Sequence, residues 1–331
     1  MASKAQAIPT ARPAWGGLAL TLAILAGLAA PFLLGGFATY QLTYALIYAI
    51  AILGLNLLTG FNGQFSFGHS AFYALGGYTA AMLMDRLGVP AYLTLPAAGL
   101  TCLAFGCLFG IPASRLSYIY LALATYALAV ATPQLLKSAL FERWTGGVQG
   151  LYLDRPPVPA GVPLSGDQWW YLVSLATLLA VFWLAHNLGR GRIGRAMIAV
   201  RDQPIAAAAI GINITLIKAL TFGVSACCAG IAGALATLLA EYIAPDTFTV
   251  SFSILLLVGA VAGGINSIYG AVLGGLFITY VPLFANMISK DLTWPVFGAL
   301  LISAVWIMPT GVAGLVERQV ERYRKARGRT G

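Results

Sequence analysis

Charge is what this chain has least of. Only 9% of its 331 residues are Asp, Glu, Lys or Arg, against roughly 25% in an ordinary soluble domain. Ten are acids and two are histidines, His69 and His186. Nearly neutral runs of about 20 residues separate the charges, the length that crosses a hydrocarbon core about 30 Å thick. A soluble fold is excluded. The short alternating strands of a transmembrane barrel are missing too, so the expected fold is an all-α polytopic membrane protein.

Other absences narrow the function. The four cysteines, Cys102, Cys107, Cys227 and Cys228, all fall in apolar runs and read as small buried residues. A metal site needs paired spacing supported by His or carboxylate, and the two histidines are remote in sequence. No metal and no cofactor are expected in this chain. No GxxxxGK[ST] loop occurs, so ATP is not bound here by that route. No acid falls convincingly inside a span, which leaves a proton- or ion-driven carrier without its usual relay. No Ser–His–acid or paired-carboxylate arrangement stands out, so the chain is not expected to be an enzyme.

What charge there is falls unevenly. The N-terminus, Arg115, the segment from Arg190 to Lys218 and the tail after 316 together carry +11, while all other connections carry −2. Cytoplasmic loops hold the Lys/Arg excess, so both termini and the 189–213 loop are expected in the cytoplasm. Anchoring at lipid accounts for the basic tail without nucleic acid.

About ten spans are expected, at 15–37, 41–59, 69–84, 90–112, 117–136, 169–188, 213–240, 252–263, 268–286 and 294–309. The runs 69–84 and 252–263 are short, so short or broken helices are expected near 60–84 and 252–286. Such breaks persist only where protein or a water-filled cavity covers the loose backbone. The chain then divides into a cytoplasmic segment 1–14, a permease domain 15–309 and a basic cytoplasmic tail 310–331. Within the domain, 137–168 is an external, irregular cap. The first run contains LAA at 28–30, but Pro31 directly after it argues against signal cleavage.

Two stretches carry chemistry. Between the second and third spans the chain reads GFNGQFSFGH, whose Asn62, Gly63, Gln64, Ser66, Gly68 and His69, with Asn56 just upstream, form a candidate translocation path. Neutral side chains there could serve unwound backbone or a passing solute, and packing of a broken helix accounts for them equally well. The second stretch, GRGRIGRAMIAVRDQPIAAAAIGIN (189–213), is a basic loop followed by a Pro-started, Ala-rich turn. Pro204 suits a first helical turn, Asp202 is a plausible cap, and Ile205 and Ala209 share a face. A small-residue face of this kind could fit a partner's groove, and an ordinary positive-inside loop accounts for the stretch as well.

These residues resemble LivM-type permeases, the membrane subunits of branched-chain amino-acid ABC transporters. LNLLTGFNGQFSFGHSAFYALGGYTAAML is similar to the family signature, RLSYIYLALATYALA (115–129) to its span before the external loop, and WTGGVQGL (144–151) to its TGG motif at Thr145, Gly146, Gly147 and Gly150. GRAMIAVRDQPIAAAAIGIN (194–213) is similar to its coupling loop, departing where relatives carry acids at Pro204 and Ala208. The likeness continues through APDTF, GGINSIYGAVLGG and MPTGVAGL, covering about 40–316.

The resemblance implies a heteromeric importer in the bacterial inner membrane. A second, related permease subunit would pair with this chain, two ATPase subunits holding ATP and Mg would dock below, and a periplasmic solute-binding protein would deliver substrate. Arg201, Asp202, Pro204, Ile205, Ala206, Ala207, Ala209 and Gly211 would form the ATPase-coupling loop. The implied cargo is a branched-chain or other small neutral amino acid, with urea, short amides and small aromatic acids as alternatives. From the residues themselves, a stand-alone secondary carrier or a non-transporting membrane scaffold stays open.

Overall fold

The computed structural model describes residues 14–159, 163–265 and 267–288, with isolated helical positions from 295 to 314. The expected span at 294–309 lies mostly, and the tail after 314 entirely, outside the described residues. Twelve helices are described: α1 (Ala14–Leu33), α2 (Gly36–Leu55), α3 (His69–Leu87), α4 (Ala91–Ala113), α5 (Tyr118–Lys137), α6 (Glu142–Thr145), α7 (Gly166–Arg190), α8 (Arg192–Asp202), α9 (Pro204–Ala209), α10 (Ile214–Ala240), α11 (Val250–Gly263) and α12 (Gly270–Ile288). Two strands of two residues, β1 (Leu151–Tyr152) and β2 (Tyr242–Ile243), pair antiparallel. The architecture is that of an all-α membrane protein, as expected, and the small ladder adds a tie between Leu151–Tyr152 and the end of α10.

The helix starts follow local chemistry. Ser165 Oγ accepts from the Gln168 N–H at 3.3 Å, and the Gln168 side chain accepts from the Ser165 N–H at 3.0 Å, closing a capping box on α7. Asn213 Oδ1 accepts from the Leu216 N–H at 3.0 Å and starts α10. The expected turn at 204–209 is the short helix α9, with Pro204 in its first turn.

Among the described residues, six helices are long and apolar enough to span a membrane: Gly36–Phe61, Ala91–Ala113, Tyr118–Lys137, Gly166–Arg190, Ile214–Ala240 and Gly270–Met287. The run expected at 252–263 is a helix of 14 residues, about 21 Å long at 1.5 Å per residue and short of a full crossing. The α10 helix is central, packed on α4, α3 and α2, while α2 also packs on α12, α7 and α11. Apolar lipid gives helices no hydrophobic reason to associate, so close packing of small residues does that work. A side chain on Gly76 of α3 would collide with the Gly230 backbone of α10, and one on Gly274 of α12 with the Gly259 carbonyl of α11.

Helix direction follows from contacts at two ends. Gln168 Nε2, at the start of α7, donates to the Pro31 carbonyl at 3.0 Å, which places the start of α2 beside the start of α7. The far ends of α2 and α7 lie by α8. The chain returns along α10 to the strand end, where Tyr152 pairs with Tyr242.

Candidate functional site

The α2 helix does not stop at Leu55. It widens into a π-helical turn over Asn56–Phe61, then gives way to an irregular segment before α3 begins at His69. His69 Nε2 lies 2.8 Å from Ser225 Oγ, and that hydroxyl donates to the Gly54 carbonyl at 2.7 Å. The start of α3 is therefore level with Gly54, seven residues before Phe61, or about 10 Å back along the helix at 1.5 Å per residue. The segment 62–68 turns back into the bundle, as the short third span requires.

Neighbouring helices hold its backbone. The Phe67 N–H donates to Thr125 Oγ1 of α5 at 3.0 Å. The Ser70 N–H, one of the unpaired donors at a helix start, reaches Ser253 Oγ of α11 at 2.8 Å. Gln64 Nε2 donates to the Lys218 carbonyl of α10 at 3.2 Å, and Ser66 Oγ accepts from the Gly68 N–H at 3.2 Å. Asn56 Nδ2 donates to the Ser267 carbonyl at 2.9 Å, joining the α2 break to the α11–α12 connection.

Asn56, Asn62, Gln64, Ser66 and His69 are all buried. Several of their atoms have no hydrogen-bond partner: Asn56 Oδ1, both polar atoms of Asn62, Gln64 Oε1 and His69 Nδ1. Buried polar groups are satisfied as a rule, because an unmade bond costs about 1–3 kcal/mol. Most of the described buried side-chain atoms without a partner are gathered at this one stretch.

The second stretch divides into two faces. Ile205 and Ile210 are exposed, as are Pro204, Ala206 and Ala209, whereas Ala207 is buried. Ala207 thus lies apart from the outward-facing residues of α9. Its side chain packs inward, and its carbonyl accepts from the Ile212 N–H at 3.0 Å to close the turn. Gly211 takes φ +86°, which ends the short helix. Beside α9, an almost wholly apolar hollow of about 260 Å³ lies between α8 and α10, lined by Ile193, Ala196, Ile212, Leu216 and Ile217 among others. Arg201 turns inward, its Nη1 donating to the Gly60 carbonyl at 2.5 Å and its Nε to Asp202 at 2.8 Å.

The TGG motif is architectural in these contacts. Thr145 is buried, and its hydroxyl donates to the Leu136 carbonyl at 2.6 Å. Gly146, Gly147 and Gly150 all have positive φ, and a side chain on Gly150 would strike the Ile243 carbonyl of β2. Nearby, a cavity of about 680 Å³ opens between Asp85, Asp154, Glu241 and the two strand tyrosines.

Sequence reasoning missed Thr125, Ser225 and Ser253. Each is a single hydroxyl in an apolar helix, with nothing in the local pattern to separate it from packing. Nor did it find that Arg201 reaches the α2 break.

The chain is 28% identical to the high-affinity branched-chain amino acid transport system permease protein LivM of Salmonella typhimurium, over 92% of this chain and 76% of that one. It is 27% identical to LivH of Escherichia coli, over 82% of this chain and 92% of that one. Residues 37–305 match the family model described as branched-chain amino acid transport system, permease component. That match takes in the α2 break, the segment 137–168, α8, α9 and the central α10, and the chain belongs to the family of branched-chain amino acid transport permeases.

Proposed function

We propose that this chain is the membrane-spanning subunit of an ABC importer that moves branched-chain or other small neutral amino acids, using ATP hydrolysed by partner subunits. The observation that carries this reading is the group of unpartnered polar atoms on Asn56, Asn62, Gln64 and His69, buried along a backbone that turns back between helices. Neutral donors and acceptors suit a zwitterion in transit, which needs hydrogen bonds and no net charge. Affinity then resides in a periplasmic binding protein, and this chain supplies a passage.

The surfaces support the partners of this reading. Ile205 and Ile210 stand exposed beside an apolar hollow at the basic, cytoplasmic end, where an ATPase subunit docks. A second permease, related as LivM and LivH are to each other, completes the passage. With Lys/Arg in excess at the α8 end, both termini are cytoplasmic. Ten crossings follow if α1, α3, α11 and the run expected from sequence at 294–309 each count as one beside the six long helices.

The test is reconstitution of the full complex in proteoliposomes. Uptake of radiolabelled leucine that requires ATP and the binding protein is the expected result. Uptake that persists with an ATPase-inactive partner points to a secondary carrier and overturns the proposal.

A further inference from the structure

We propose that Arg201 is the positioning residue that transmits movement of the α8–α9 loop to the α2 break, and that Gly63 is the seat it requires. The proposal rests on the importer reading above and names a part of its machinery.

The end of a helix leaves its last carbonyls without partners. At the α2 break the Thr59 carbonyl is taken by the Gly63 N–H at 3.1 Å and the Leu58 carbonyl by the Gln64 N–H at 3.1 Å. The Gly60 carbonyl, the next in the chain, receives Arg201 Nη1 at 2.5 Å. A guanidinium is suited to the negative end of a helix dipole, and its fork lets Nε hold Asp202 at the same time. The break is thus capped from another element, 141 residues away in sequence.

The stem of Arg201 is as constrained as its tip. Gly63 has φ +69°, and a Cβ built on it would lie 2.7 Å from Arg201 Cγ. Only glycine meets both the backbone conformation and the close approach. One residue further on, Gln64 is bonded to the Lys218 carbonyl. Tilting α8 therefore pulls on Gly60 and presses on Gly63, at the foot of the segment that carries Asn62, Gln64 and His69.

The experiment measures leucine transported per ATP hydrolysed by the complete complex in proteoliposomes, for wild type, Arg201→Gln, Arg201→Lys, Gly63→Ala and the Gly63→Ala/Arg201→Gln double variant. ATP-dependent uptake by the wild type is established first, and its absence would sink the importer reading before any variant is compared. Arg201→Gln is expected to lower the ratio at least fivefold while the ATPase subunits still co-purify. Arg201→Lys should recover part of that loss, because one ammonium donor can still reach Gly60. The double variant should be no worse than the poorer single variant, as for two residues acting through one contact. A ratio for Arg201→Gln within twofold of wild type overturns the proposal. So does a loss that only follows loss of bound ATPase, since Arg201 would then merely hold the loop's fold.

Discussion

His69 Nε2 meets Ser225 Oγ at 2.8 Å, and the same hydroxyl donates to the Gly54 carbonyl at 2.7 Å. One hydroxyl has one proton. With that proton on Gly54, Ser225 can only accept from the ring, so His69 carries its hydrogen on Nε2 and leaves Nδ1 as a bare acceptor. The contact joins α2, α3 and α10 where α3 begins. It also leaves an unpartnered acceptor beside the segment proposed to line the passage.

Ser225→Ala should therefore destabilise the bundle beyond the loss of one hydroxyl. It strands the buried Nε2 hydrogen, a cost of about 1–3 kcal/mol. Thermal unfolding of the detergent-purified complex should shift down by several degrees. An unchanged midpoint would mean that the three-helix contact is not formed in the membrane.

Gln64→Leu should assemble and insert normally yet lower amino-acid uptake by about fivefold, the rate effect of roughly 1 kcal/mol. It removes the bond to the Lys218 carbonyl and the free Oε1 acceptor together. Initial rates in proteoliposomes, normalised to ATPase content, provide the check. Uptake at the wild-type rate would make GFNGQFSFGH a structural element alone.

Ile205→Glu and Ala207→Asp should fail in different ways. Ile205 is 87% exposed and Ala207 2% exposed. The first variant should insert fully but lose co-purifying ATPase. The second buries an unpaired charge and should lower the yield of folded protein. Equal ATPase recovery with Ile205→Glu and wild type would place the docking surface elsewhere.

Gly150→Ala should loosen the external cap and leave the bundle intact. It puts a side chain at φ +74° against the Ile243 carbonyl, a strain of about 1–3 kcal/mol. Amide hydrogen exchange should speed up at Leu153, which donates to the Glu241 carbonyl next to the β1–β2 pair, and stay slow within α10. Unchanged exchange at Leu153 would count against the strain argument.

Much of the fold was legible because lipid imposes a simple rule. Charge-free runs mark the spans, and six helices of spanning length lie where long apolar runs predict them. The break after α2 was legible as glycines and amides placed too near a short span. The spacing put Ile205 and Ala209 on one face of α9 but did not say that Ala207 is the residue that packs inward, because six residues are too few for helical period to say which side packs. The β1–β2 pair joins residues about 90 positions apart, and two-residue strands carry no periodic signal.

Sequence by itself determined that the chain spans a membrane, where its basic loops fall and where its helix is interrupted, because hydropathy, charge and glycine content act locally. Tertiary structure alone decided which hydroxyls meet the interruption. It also decided that Arg201 of α8 caps Gly60 and that buried polar atoms gather along 56–69. Those are contacts between elements far apart in the chain, and close packing of several helices at once sets them.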